Sequence, residues 1–128
     1  MNLESRVAKT QKSPEELYNF LTQVENFKNL MPDDTKFELR GEDKFLFGLK
    51  GMPEIALGLK DKTPHSEVVL GSTSDKLAFT LTCKIHEAST GSEAQLFFDG
   101  DFNAMMAMMI KGPINKFLDQ LANGIEKI

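Results

Sequence analysis

Apolar residues recur along this chain with two periods, and the switches between them mark the elements. Residues 3–10 alternate weakly and read as a strand. "SPEE" then has the form of a helix start, with Ser13 as N-cap, Pro14 at the first helical position and Glu16 placed to close a capping box. Leu17, Phe20, Leu21, Val24, Phe27 and Met31 follow at helical spacing, and Pro32 ends the pattern. Asn26 is placed to cap a restart, so one helix or two short ones both fit.

From residue 35 the period becomes 2. Phe37 and Leu39 lie on one side of a strand, "GEDK" turns the chain, and Phe45, Phe47 and Leu49 continue until Gly51–Pro53. Ile55, Leu57 and Leu59 form a third run, residues 65–72 hold a fourth, and Leu77–Ile85 and Ala94–Phe98 are the last two. Such alternation marks antiparallel strands with one buried face. The chain closes with a helical segment from about residue 104 to 128. Met105, Met109, Phe117, Leu121, Ile125 and Ile128 are expected on one face, with Met106, Ile110, Ile114 and Leu118 beside them. Gly112-Pro113 is expected to kink this helix or divide it, because proline lacks an amide hydrogen and crowds the preceding turn.

At 128 residues the chain fits a single domain over 1–128. A sheet with one apolar face needs a cover, and here only the helices can supply it. The expected class is therefore α+β. One strand, two helices, six strands and a long helix form a curved antiparallel sheet of about seven strands wrapped on the C-terminal helix.

This order, with "SPEELYNFLTQVENFKNLMP" early and "INKFLDQLANGIEKI" at the end, resembles the helix-grip fold of the START-like (SRPBCC) superfamily. That superfamily includes lipid-transfer domains, plant carriers of hydrophobic ligands and polyketide cyclases. The resemblance covers essentially the whole chain and implies an apolar cavity between sheet and final helix.

Charge and composition narrow the function. A net charge of −4, with fifteen scattered Lys and Arg residues, argues against a nucleic-acid binder, which needs a basic face. The single cysteine, Cys83, forbids an intrachain disulfide and fits a reducing compartment, so a cytoplasmic location is expected. The longest apolar run, Ala104–Ile110, is seven residues, against roughly 20 for a membrane span. No stable membrane insertion is expected.

The inner sheet face, by alternation, holds Phe37, Leu39, Phe45, Phe47, Leu49, Ile55, Leu57, Leu59, Leu77, Phe79, Leu81, Leu96 and Phe98, with no acid or base among them. General acid–base catalysis needs titratable groups within reach of substrate, so this face favours a binder over a catalyst. The expected function is binding, and potentially transport, of a hydrophobic small molecule or lipid, without a cofactor. Phe47, Leu57, Phe79, Leu81, Phe98, Met105 and Met109 are the candidate lining, and Phe27, Met31 and Met52 the candidate entrance. Four of seven methionines fall within residues 105–109, where their flexible side chains suit an adaptable wall.

Two alternatives stay open. In "HSEVVLG" one strand register points His65 and Glu67 inward, as a cyclase or dehydratase would need; the other buries Val68 and Leu70. A filled core would instead suit a protein-interaction module, as in co-chaperone relatives on the same fold. Cys83 and His86 are three apart on a strand and face opposite ways, so no metal site is expected. Gly100, between Asp99 and Asp101, is expected at a bulge. Oligomeric state is not encoded in these patterns.

Overall fold

The computed structural model describes residues 1–31, 35–48, 54–73 and 78–128. Strands β1 (Asn2–Glu4) and β2 (Ala8–Thr10) come first, followed by α1 (Pro14–Leu21), a 3-10 turn (Val24–Asn26) and a short α2 (Phe27–Leu30). Six strands follow: β3 (Lys36–Leu39), β4 (Lys44–Gly48), β5 (Ile55–Thr63), β6 (Glu67–Ser72), β7 (Phe79–Ala88) and β8 (Gly91–Gly100). Helix α3 spans Ala104–Lys127. The strands form one antiparallel sheet in the order β1-β8-β7-β6-β5-β4-β3, with β2 also paired to β8. The class is α+β, with the long C-terminal helix packed on the sheet. Leu49, Met52 and Leu77 fall outside the described residues.

The N-terminal strand is two strands, which makes eight among the described residues. Ser5 explains the break. Its amide donates to the Leu96 carbonyl at 2.8 Å, while its hydroxyl accepts from the Leu96 amide at 3.0 Å. A side chain thus stands in for one backbone partner, and Arg6 and Val7 leave the ladder and turn outward.

The start of α1 has the capping box its sequence predicts. Ser13 Oγ accepts from the Glu16 amide at 3.2 Å, and the Glu16 carboxylate accepts from the Ser13 amide at 3.1 Å. The helical region divides after Leu21, so two short helices form. Asn26 does not cap the restart; its side-chain amide donates to the Phe20 carbonyl at 2.9 Å and ties the 3-10 turn back to α1.

The β7–β8 ladder runs without interruption from Phe79 opposite Gly100 to Ala88 opposite Gly91. Gly100 therefore sits in regular pairing. The sheet's register shift lies in β5 instead, between Leu59 and Asp61.

Helix α3 is continuous through Pro113. Asn103 caps it, with Oδ1 accepting from the Met106 amide at 2.8 Å. Its buried stripe is Ile110, Ile114, Phe117, Leu118, Leu121, Ala122 and Ile125. Met105 and Met109 are not on that stripe, contrary to expectation. At about 100° per residue, Met105 and Leu121 differ by roughly 160° beyond whole turns, so the stripe leads back to Ile110 and Met106.

The core between sheet and helices is strongly aromatic. Phe45 stacks with Phe37 at 5.1 Å and Phe27 at 5.4 Å, and Phe47 stacks on Phe117 of α3 at 4.7 Å. Arg6, in the break between β1 and β2, fixes the far end of α3. Its guanidinium donates two 2.8 Å bonds to the Glu126 carboxylate, with Asp119 at 3.6 Å.

Candidate functional site

The inner face of β7 and β8 ends in three phenylalanines. Phe79 and Phe98 stack at 5.0 Å, and Phe102 lies nearly parallel to Phe98 at 6.1 Å. Leu81 pairs with Phe98 across the strands. Phe102 belongs to the short connection between β8 and α3. It folds back over Gly100, and its ring fills the space that a Cβ at position 100 would need. One side of this corner is thus closed by a single loop side chain, half-buried, with half-buried Met106 and buried Ile110 following on α3.

The seven candidate lining residues fall into three places. Phe79, Leu81 and Phe98 gather at the Phe102 corner. Phe47 and Leu57 are buried on β4 and β5, two strands and more away, where Phe47 already packs against Phe117. Met105 and Met109 point to solvent, 75% and 57% exposed, as does Met108 at 82%. Of the candidate entrance residues, Phe27 is buried against Phe45. Met31 is buried too and borders a cleft of about 270 Å³ between α2 and α3.

Phe102 is not among the lining residues that the sequence pattern offers. Phe102 carries one usable signal: it directly precedes the N-cap Asn103, where apolar residues commonly fold back to fix the chain's entry into a helix.

The register that would aim His65 and Glu67 inward is not adopted. Val68 and Leu70 are the buried apolar side chains of β6, and Glu67 pairs with Lys84 on the other row. His65 is not in a strand. Ser66 N–H donates to the Thr63 carbonyl at 3.0 Å, with Pro64 and His65 as the central turn residues. Proline first and a left-handed residue second, His65 at φ 69°, is the arrangement of a type II turn. The imidazole is exposed and stands nearly perpendicular to the Tyr18 ring, 5.4 Å between centroids.

Among the described residues no carboxylate, amine or imidazole is buried, and the buried polar side chains are the hydroxyls of Ser5, Thr10 and Ser92. Cys83 is buried on the inner face while His86 is exposed. Desolvation pushes the Cys83 thiol up to about 12, which keeps it protonated and unreactive. No cluster of three potential metal ligands occurs among the described residues. Two shallow clefts of about 420 and 490 Å³ adjoin at Thr80 and Asp99. Lys60, Lys84, Glu4 and Asp101 line them with mixed charge, so neither favours an ion of one sign.

Among solved structures, the KanY protein superimposes with a TM-score of 0.77 at 10% identity, covering 99% of this chain and 95% of KanY. A Rhodobacter sphaeroides protein gives 0.71 at 12% identity, covering 98% and 89%. The Aha1 dimer from Colwellia psychrerythraea gives 0.63 at 13%, covering 98% and 96%. This is a helix-grip fold. No family model matches the sequence, and no curated protein matches it. At these identities the likeness speaks to the helix-grip architecture alone.

Proposed function

We propose that the chain binds a hydrophobic small molecule or lipid against the inner sheet face, beneath the first turns of α3. The observation that carries this reading is the Phe102 corner. Phe79, Leu81 and Phe98 form an apolar floor there, and part of its cover is one ring from a short loop. Exposing a buried phenylalanine costs about 1.5–3 kcal/mol, while each methylene taken out of water contributes ~0.8 kcal/mol. A few methylenes of ligand therefore offset the displacement of Phe102. Recognition rests on shape and apolar burial, since no charged side chain is buried among the described residues.

The test is native mass spectrometry of gently purified protein with organic extraction of any added mass, followed by oleate titration. An extractable apolar adduct or saturable oleate uptake is expected. Phe102→Ala should bind oleate several-fold tighter, because no ring must be expelled. Leu81→Trp should fill the floor and abolish uptake. A bare 14.3 kDa species that takes up no oleate, with or without Phe102, rejects the proposal. That result favours a second reading, a protein-interaction module, which the direct Phe47–Phe117 stack between sheet and helix supports.

A further inference from the structure

The first seven residues of α3, Ala104–Ile110, include no charged or strongly polar side chain, yet only Ile110 among them is buried. A helix segment that is apolar all round is ordinarily covered all round. Here Met105, Met108 and Met109 project together into solvent. Further along the same outward stripe the character changes to Lys116, Asp119, Asn123 and Lys127. The apolar half is therefore local, and solubility of the whole helix does not require it.

The charges around the patch indicate what covers it. Lys111 and Lys116 follow the methionines, are exposed, and carry no ion pair among the described residues. The acids farther along, Asp119 and Glu126, are held by Arg6. Asp101 precedes the patch and borders the cleft that also holds Lys60. The methionine face is thus followed by uncompensated positive charge.

We propose that the Met105–Met108–Met109 face docks on an anionic lipid bilayer surface. Three side chains are far fewer than the 20–30 or so residues that each partner contributes to a stable protein–protein interface. They suit shallow insertion at the boundary between headgroups and acyl chains. Unbranched methionine side chains adapt to that irregular medium, and the lysines can keep their ammonium groups at the phosphate level. No helix of the described chain is long and apolar enough to cross the bilayer, so the contact is peripheral and reversible. Docking this way would bring the Phe102 corner, at the same end of α3, close to the bilayer. That consequence rests on the ligand-binding reading above; the docking itself does not.

The experiment is flotation of the full chain with vesicles of phosphatidylcholine alone, and with equal parts phosphatidylcholine and phosphatidylglycerol. Binding to the mixed vesicles is expected to be about tenfold tighter at low salt and to weaken as salt screens the lysines. Met105→Ser, Met108→Ser and Met109→Ser together should abolish flotation, and so should Lys111→Glu with Lys116→Glu. Met105→Leu, Met108→Leu and Met109→Leu together should preserve it. Thermal unfolding of each variant confirms an intact fold. Absence of binding to the mixed vesicles, or equal binding by the serine variant, overturns the proposal. So does sedimentation showing a dimer that the serine variant dissolves, which would make a second copy the occupant. Oleate uptake without flotation removes the docking inference alone, and flotation without uptake removes the ligand reading alone.

Discussion

Phe102 rests on Gly100 so closely that a methyl group at position 100 would collide with its ring and approach the Phe79 side chain at 3.0 Å. Gly100→Ala should therefore lower stability by about 1–3 kcal/mol, the usual cost of overpacking a fitted site, as read from urea unfolding. The double variant with Phe102→Ala should cost less than the sum of the two single changes, because the second removes the clash created by the first. Strict additivity would mean that the ring does not rest on this glycine in solution. Before folding, Gly100 reads as a bulge between two aspartates. Its real task, making room for a ring two residues on, depends on a loop conformation that alternation cannot show. His65 is a similar case. Its strand-like neighbours are legible, but the turn built by Pro64 places it outside the strand.

At the level of elements, α3 carries a proline in its interior without ending. Pro113 has no amide hydrogen to donate to the Met109 carbonyl, and its ring crowds that turn. Pro113→Ala should raise stability by about 1–3 kcal/mol through the added bond and better helix propensity, reduced by about 0.4–1 kcal/mol through a freer unfolded chain. The urea midpoint should rise with an unchanged slope. A fall would show that a bend imposed by proline fits the helix to the sheet. Element identity was the most legible level of this fold. The capping box before α1, the two helical periods and the strand alternations all lie in local sequence. Phe117, Leu121 and Ile125 are buried as the period predicts, but Met105 and Met109 are not. Apolar residues surround the first turns of α3, so period alone offers two stripes there. Packing of Ile110, Ile114 and Leu121 selects one, and the methionines are left outside.

For the molecule as a whole, the N-terminal segment and the last helix are joined through Arg6 and Glu126, 120 residues apart in sequence. The bond from Arg6 holds the Glu126 carboxyl below its ordinary value of 4.5, and the bond from the Ser13 amide does the same for Glu16. Carboxyls depressed on folding stabilise the protein fully above their ordinary value. That contribution is lost as pH falls from about 4.5 through the folded values. Melting temperature should therefore decline with pH in that window, and Arg6→Ala should make the decline shallower by removing the Glu126 share. Parallel curves for the two proteins would show that the pair adds nothing in solution. Both groups are exposed, so the effect should be small and sensitive to salt.

The sequence by itself determined the class of the fold, the order of its elements and the mainly apolar character of its inner face, although Leu39 is exposed and Thr10 and Ser92 lie on the buried rows. These follow from periods of 2 and 3.6 and from caps and turns, which act between residues close in the chain. It also separated Cys83 from His86, because alternation alone sends them to opposite faces. Only the tertiary structure decided which apolar residues meet. It gathered Phe79, Leu81 and Phe98 under Phe102 and set Phe47 against Phe117 elsewhere in the core. It also turned three methionines to solvent. The physical reason is that burial is shared between elements. A helix or strand shows which side is apolar, but which part of that side is covered depends on the partner's shape and reach.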